Sequence, residues 1–285
     1  MISIKQFAYL FYGFLISMIT FATEAQSAVL SADALFDIKQ HDRTFNAKNY
    51  RLFIAVPKQH NNGNVLYLLD GNAHFPLALQ AIDPVLPLPT IIAVGYPTQE
   101  AYAVAERTRD YTFAAQGEEF VYGGGAADFL TFISGLPHFL AQNYAVNAQR
   151  SLFFGHSFGG LFGLYVLLNQ PQLFDDYILA SPSLWWGNGT LLQQRNVEFH
   201  RIRPSSLLFT LGEYEANPLA DPDQNSARIQ RIFNRRNILK IEDLQQQLAE
   251  KGVNGDFILL EKHNHGSSAA PALNMAVQKA QQSAP

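Results

Sequence analysis

The sequence predicts an α/β fold with a mainly parallel central sheet and helices on both faces. Its apolar run at residues 65–69 is continuous rather than alternating, as expected for a strand buried on both faces of a parallel sheet. Residues 89–95 are another candidate for a buried strand, and residues 176–180 read as a further strand. Segments with helical spacing separate these runs, and alternation of strand and helix favours parallel pairing through crossover connections. The same pattern continues to the end of the chain with runs at 152–154, 206–211 and 257–260.

The other elements fit one domain, predicted to occupy residues 29–285. Alternating, β-like patterns fill residues 34–58. A helix-like segment runs from 72 to about 82, and an amphipathic helix is predicted over 126–143. A long, polar and basic helical region follows at 225–252. No internal repeat or linker indicates a second domain.

Composition excludes several functional classes. A hydrophobic content of 48% supplies a large core and excludes a disordered chain. The formal net charge of -4 argues against nucleic acid as the main partner. Cysteine is absent, which excludes disulfides, thiolate catalysis and cysteine-ligated metals.

Residues 1–28 are predicted to be a secretory signal peptide. Lys5 precedes an apolar stretch at 7–22, and the small-residue segment Ala25-Gln26-Ser27-Ala28 follows. A retained membrane anchor is the alternative, because the apolar stretch is long for a signal peptide. No cysteine follows the cleavage region, so a lipoprotein anchor is not available. In a Gram-negative bacterium, the mature chain would be periplasmic.

The most informative stretch is the segment Gly155-His156-Ser157-Phe158-Gly159. It follows a short apolar run and precedes an apolar helix, and strand, G-x-S-x-G and helix in this order form the nucleophile elbow of the α/β-hydrolase fold. We therefore predict Ser157 as a nucleophile, with the Phe158 N–H facing a developing oxyanion at the helix N-terminus. The alternative is a serine in a structural turn.

A serine nucleophile needs a base and an acid, which follow it in this order as Asp or Glu and then His. His265, just after the last predicted strand, is the favoured base over His263. Glu215, in the loop after the strand at 206–211, is the favoured acid over Glu213. A Ser–His dyad without an acid remains open. His156 is expected to pack or to hydrogen-bond locally.

The loop after the 65–69 strand should supply a second oxyanion donor. Gly71 allows a close backbone approach, and the N–H of Asn72 is the candidate, with a glycine turn and an Asn helix cap as the alternative. No cofactor is predicted, because His263 and His265 lack a third metal ligand and no phosphate-binding glycine loop is present.

Several segments together carry a family resemblance: residues 65–72, 107–112, 123–130, 155–160, 181–186 and 264–267. In this order they resemble the putative-esterase family of α/β-hydrolases, which includes siderophore esterases, esterase D and feruloyl esterases. The Arg107-Thr108-Arg109-Asp110 and Ser181-Pro182-Ser183-Leu184-Trp185-Trp186 segments look most like the trilactone, enterobactin-type siderophore esterases. The chain departs from the family pattern at Tyr111-Thr112-Phe113, where family members commonly have Leu-Thr-Pro.

The resemblance implies an exported serine esterase that hydrolyses the ester backbone of a catecholate, ferric enterobactin-like siderophore and releases its iron. Iron would enter only as part of the substrate. A ferric catecholate is a bulky aromatic anion, so cationic and aromatic groups should surround the site. The candidates are Arg107, Arg109, Trp185 and Trp186, and the basic helical region adds Arg228, Arg231, Arg235 and Arg236.

Two other functions stay open at this point. The first is a general carboxylesterase or an acyltransferase of the esterase D or feruloyl esterase type. The second is a binding protein that has kept the fold and lost turnover.

Overall fold

The computed structural model describes residues 31–193, 198–204, 206–223, 226–236 and 238–282. The predicted signal peptide at 1–28 lies outside these residues. The chain divides into two units, Met1–Ala34 and Leu35–Pro285, and the sheet belongs to the second. Within the described ranges, no helix combines the length and the apolar character that crossing a membrane requires.

The described strands form one sheet in the spatial order β1-β2-β4-β3-β5-β6-β7-β8. Strands β3 to β8 pair in parallel, whereas β1 with β2 and β2 with β4 pair antiparallel. The predicted α/β-hydrolase fold with a mainly parallel sheet is therefore confirmed. The strands are β1 (Phe36–Phe45), β2 (Lys48–Pro57), β3 (Asn61–Leu68), β4 (Leu88–Gly95), β5 (Arg150–His156), β6 (Asp176–Ala180), β7 (Ser206–Gly212) and β8 (Asp256–Leu260).

Helices and short helical turns occupy the connections between these strands. The described α-helices are α1 (Ala32–Leu35), α2 (Gly71–Gln80), α3 (Val104–Tyr111), α4 (Ala126–Ser134), α5 (Leu136–Tyr144), α6 (Phe158–Asn169), α7 (Glu213–Ala216), α8 (Ser226–Arg236), α9 (Ile241–Glu250) and α10 (Ala269–Gln281). Short 3₁₀ turns lie at Glu118–Phe120, Trp186–Gln193, Phe199–Arg201 and Pro218–Ala220.

Two predicted helices are each divided in the structure. The amphipathic helix expected over 126–143 ends at Ser134, and a second helix begins at Leu136 with Pro137 in its first turn. Proline lacks an N–H and fits the first turn of a helix, where that donor has no intrahelical acceptor. The basic region likewise forms α8 and α9, and extended backbone at Lys240 precedes α9.

Helices cover both faces of the sheet and create two cores. Helices α2 and α10 pack on one face, where the small residues Ala272 and Ala276 lie against the strands. Helices α3 to α6 cover the other face around Phe129 and Phe162. Helix α6 is apolar around its whole circumference, which is typical of a fully buried helix. The loops that follow β5, β6, β7 and β8 therefore meet at one edge of the sheet.

Candidate active site

Ser157 lies on a sharp turn between β5 and α6. Its φ of 61° and ψ of -117° place a non-glycine residue in a strained conformation, which typically costs about 1–3 kcal/mol. The neighbouring glycine makes the turn possible, because a Cβ on Gly155 would lie 2.2 Å from the carbonyl oxygen of Gly159. This tight turn places the Ser157 side chain at the carboxyl end of β5, beside the N-terminus of α6.

His265 reaches this serine from the loop after β8. The Ser157 hydroxyl lies 3.0 Å from His265 Nε2, and His265 Nδ1 lies 2.6 Å from Glu215 Oε2. The Nδ1–H donates to the carboxylate, which leaves Nε2 as the acceptor for the serine hydroxyl. His263 is turned elsewhere: its Nδ1 lies 3.3 Å from Ser267 Oγ, and the side chain is partly exposed.

Glu215 stands on α7, directly after β7, and its carboxylate is well supplied with donors. Its Oε1 accepts hydrogen bonds from the Ser181 hydroxyl at 2.6 Å and from the Gly212 N–H at 3.0 Å. Burial raises the pKa of this carboxyl, but the hydrogen bonds from His265, Ser181 and Gly212 outweigh burial and hold the pKa below its usual value. Glu213 instead accepts from the Lys262 N–H at 2.6 Å.

His156 does not act on Ser157 although it is adjacent in sequence. Its Nε2–H donates to the carbonyl oxygen of His265 at 2.8 Å. Burial and the nearby His265 hold the pKa of His156 well below its usual value, which favours the neutral imidazole. As expected from the sequence, His156 hydrogen-bonds locally, and it anchors the loop that carries His265.

Sequence reasoning gave no role to two serines that complete this network. Ser268 donates to the carbonyl of His265 at 3.0 Å, and its hydroxyl lies 3.0 Å from that of Ser181. Ser181 directly follows β6, so the rule that functional groups follow strand ends could have singled it out. Ser268 carries no such signal, because it begins a helix far along the chain.

Ser183 places a second hydroxyl beside the nucleophile. Its Oγ lies 3.2 Å from Ser157 Oγ, and its N–H donates to the carbonyl of Ser157 at 3.1 Å. The loop after β6 is thereby tied to the elbow by both backbone and side chain.

The two predicted oxyanion donors have different surroundings. Phe158 is the first residue of α6, so its N–H has no intrahelical acceptor and lies next to Ser157. The Asn72 side chain is held on the β4 side by bonds to Tyr96 and Thr98, and the residue capping α2 is Asp70. Gly71 packs against the β4 backbone, where a Cβ would meet the carbonyl carbon of Val94 at 3.0 Å. The N–H of Asn72 stays a prediction as the second donor.

Ser157, Glu215 and His265 open onto a cavity of about 440 Å³. One wall is formed by the loop after β6, including Ser183 and Trp185. Cationic and apolar side chains from α8, the connection to α9 and the first residue of α9 also line the cavity: Arg228, Arg231, Ile232, Arg235, Arg236, Leu239, Lys240 and Ile241. The volume is in the range of small-molecule sites, which span roughly 300–1,000 Å³.

Comparison with known proteins agrees with this geometry. Residues 44–225 match the family described as Putative esterase. The chain belongs to this family.

Relatives of this chain are named as siderophore esterases. A siderophore enterobactin esterase from Emericella nidulans is 30% identical over 75% of this chain and 80% of its own length. The ferri-bacillibactin esterase BesA from Bacillus subtilis is 28% identical over 75% of this chain and 81% of its own. The solved structure of the siderophore hydrolase EstA from Aspergillus nidulans superposes with a TM-score of 0.73 at 26% identity, covering 90% of this chain and 97% of that one.

Of the four residues predicted to surround the site, Trp185 is the one among the residues that line the cavity. Arg107 is mostly buried and binds Asp70 through two hydrogen bonds of 2.8 and 2.9 Å. Arg109 pairs in the same way with the fully buried Asp110. Neither guanidinium is among the groups that line the cavity. Arg107 is held at the elbow, where its Nη2 lies 3.5 Å from the His156 carbonyl oxygen, and Arg109 is held by its sequence neighbour Asp110. A substrate-binding role for either arginine stays a prediction.

The two tryptophans also separate. Trp186 is 2% exposed and donates its indole N–H to the Phe113 carbonyl at 2.8 Å, so its place is in the core rather than at the mouth. Trp185 lines the cavity and lies beside Phe158, with ring centroids 5.7 Å apart. These two consecutive residues thus face different surroundings, Trp185 the cavity and Trp186 the core.

No group of three or more His, Asp or Glu side chains suited to a metal ion occurs among the residues that the structure describes.

Proposed function

We propose that this protein is a serine esterase that hydrolyses the ester backbone of a siderophore. The observation that carries the proposal is the hydrogen-bonded chain from Glu215 through His265 to Ser157, which ends at a cavity. Its order and geometry are those of a Ser–His–acid triad. Membership of an esterase family supports the reaction class.

In the proposed mechanism, the Ser157 hydroxyl attacks the ester carbonyl carbon while His265 Nε2 takes its proton. Glu215 stabilises the imidazolium that forms, because its carboxylate is kept ionised by its three donors. The Phe158 N–H and a second donor, with Asn72 as the candidate, bind the negative oxygen of the tetrahedral intermediate. The intermediate collapses, His265 protonates the leaving alcohol, and an acyl-serine remains.

Water completes the cycle through the same histidine. His265 takes a proton from the water as the oxygen attacks the acyl carbon, and it returns a proton to Ser157 Oγ when the acyl–oxygen bond breaks. The products are one carboxylic acid and one alcohol for each ester cleaved. A cyclic triester would therefore become linear after the first cycle.

The substrate class is supported by the names of the relatives, which act on enterobactin and ferri-bacillibactin. Cationic groups around the cavity suit a ligand with negative charge, such as a ferric catecholate. Cleavage of its backbone would weaken iron binding, because separate arms no longer hold the metal at a high effective concentration. Iron is then part of the substrate and not a cofactor of the protein.

We further propose that the protein is exported and acts in the periplasm. The support is the composition of residues 1–28, where a lysine, an apolar stretch and a small-residue segment follow one another. Detection of a mature N-terminus near Ser27 or Ala28 after expression in a Gram-negative host would test export, and an intact N-terminus in the cytoplasm would contradict it.

The decisive experiment incubates the purified protein with ferric enterobactin and follows linear products by mass spectrometry. The matched control is Ser157→Ala, which removes only the nucleophilic oxygen. We expect ring-opened products with the native protein and none with the variant. Hydrolysis of short 4-nitrophenyl esters without siderophore cleavage would favour a general carboxylesterase, and transfer to an added alcohol would favour an acyltransferase.

A further inference from the structure

Two of the α8 arginines that line the cavity have no carboxylate partner among the residues that the structure describes. Four arginines of this helix line the cavity. Arg228 pairs with Asp221 and Asp223, and Arg236 pairs with Glu242 at 2.9 Å. Within the described ranges, Arg231 and Arg235 form neither an ion pair nor a side-chain hydrogen bond.

Arg235 is nevertheless held in a defined position. Its guanidinium carbon lies 3.9 Å from the centroid of the Trp185 ring. The Trp185 ring in turn lies 5.7 Å from that of Phe158, the residue after Ser157. A guanidinium over an aromatic face keeps its in-plane N–H donors free, and this planar fork matches the two oxygens of a carboxylate or of an ionised catechol.

The charge around these two arginines is one-sided. The lining residues of the cavity include the four α8 arginines and Lys240, whereas Glu215 is the carboxylate among them and it is engaged by His265. Partial burial and the neighbouring Arg231 lower the pKa of Arg235. The protonated form is disfavoured by such surroundings, and a bound anion would reverse that penalty.

We propose that Arg231 and Arg235, positioned by Trp185, form an anion-binding subsite that selects ester substrates carrying a planar oxyanion. The ligand class is a carboxylate or an ionised catechol attached to the substrate near the scissile ester. The subsite rests on the proposed function and deepens it, because it assigns charge selection to residues outside the triad.

Direct binding tests the subsite without any turnover. Ser157→Ala protein is titrated by calorimetry with 2,3-dihydroxybenzoate, an aromatic carboxylate, and with the uncharged 2,3-dihydroxybenzamide of nearly equal shape. We expect the acid to bind about ten-fold or more tightly than the amide, as one charge-assisted hydrogen bond would provide. Raising sodium chloride from about 0.05 to 0.5 M should weaken binding of the acid and leave the amide unchanged, because solvent-exposed charges are screened.

Substitutions of single arginines then show which residues cause the preference for the acid over the amide. Arg231→Gln and Arg235→Gln in the same background should each remove most of the preference for the acid. Arg201→Gln is the matched control: it removes the same charge from a residue outside the cavity lining that pairs with Glu198, so the preference should persist. Equal binding of acid and amide, or the same loss in all three variants, would overturn the subsite. Failure of the native protein to cleave any ester would instead overturn the proposed function and leave the binding result intact.

Discussion

Charged side chains approach Ser157 in two regions that differ in how their charges are compensated. At the elbow, Arg107 forms a bidentate pair with Asp70, and these side chains are 11% and 2% exposed. In the lining of the cavity, Arg231 and Arg235 lack a carboxylate partner among the described residues. The first pair also touches the elbow directly, since Arg107 lies 5.5 Å from the Phe158 ring.

The comparison suggests a rule for arginines near the nucleophile. Whether an arginine is paired with a carboxylate indicates its role better than its distance from Ser157 does. A compensated buried pair stabilises the local structure only while both members are present. Glu215 is likewise held by neighbouring donors, but its carboxylate orients His265, the proton acceptor for Ser157. Uncompensated cations at a cavity wall are instead available to a ligand.

The largest loss of activity should come from removing the imidazole of His265. We expect His265→Ala to lower kcat for ester hydrolysis by roughly 10⁴- to 10⁶-fold, because Ser157 loses its proton acceptor. Steady-state kinetics with a chromogenic ester measures it, with folding checked by circular dichroism. His263→Ala is the control and should change kcat by less than about two-fold, since the structure turns that ring toward Ser267. Comparable losses in both variants would contradict the assignment.

Removing the negative charge of that network should have a smaller effect. Glu215→Gln keeps the side-chain shape but cannot stabilise the imidazolium or fix its tautomer, so kcat should fall by about 10³- to 10⁴-fold. Glu213→Gln, two residues earlier, should leave kcat nearly unchanged, because Glu213 binds the Lys262 N–H instead of His265. A loss below about ten-fold for Glu215→Gln would indicate a Ser–His dyad.

Breaking the buried Asp70–Arg107 pair should lower the free energy of unfolding. Asp70→Asn leaves Arg107 uncompensated in the interior and should lower the free energy of unfolding by about 3–5 kcal/mol. Asp70 has a left-handed backbone with φ of 52°, which asparagine also tolerates, so the change isolates the charge. Urea denaturation measures it. The control is Asp42→Asn, which breaks the exposed pair with Arg51 and should cost under about 1 kcal/mol. Equal costs would show that Arg107 finds another partner.

The sequence predicts the parts of this molecule that depend on local order along the chain. The strand–turn–helix pattern around Ser157 and the positions of Glu215 and His265 after strand ends were sufficient to name the residues that the structure brings together. Charge partners were not predictable in the same way. Asp70 and Arg107 lie 37 positions apart, and their contact depends on the packing of α3 beside the end of β3.

The direction of the Trp185 and Trp186 side chains was unpredictable for a related reason. Neighbouring residues of an irregular loop can face opposite sides, and no periodicity in sequence reports which side is the core. The division of the basic region into α8 and α9 has the same origin, since its polar sequence gave a helical pattern but no clear boundary.

The smallest expected effect concerns how the free energy of unfolding changes with pH. Glu215 should contribute to this change, whereas Arg235 should not. The pKa of Glu215 is lower in the folded protein than the usual carboxyl value of about 4.5, so this group favours the folded state at pH values above 4.5. That contribution is lost as pH falls from 4.5 through the lowered folded pKa, by about 1.4 kcal/mol for each unit of pKa difference. Glutamine does not titrate, so the free energy of unfolding of the native protein should decline relative to Glu215→Gln over this window.

Arg235→Gln removes a group that stays protonated throughout, and its difference from the native protein should remain constant from pH 6 to about 3.5. Urea denaturation at a series of pH values measures both differences. A constant difference for Glu215→Gln as well would mean that the donors around this carboxylate do not favour its ionised form.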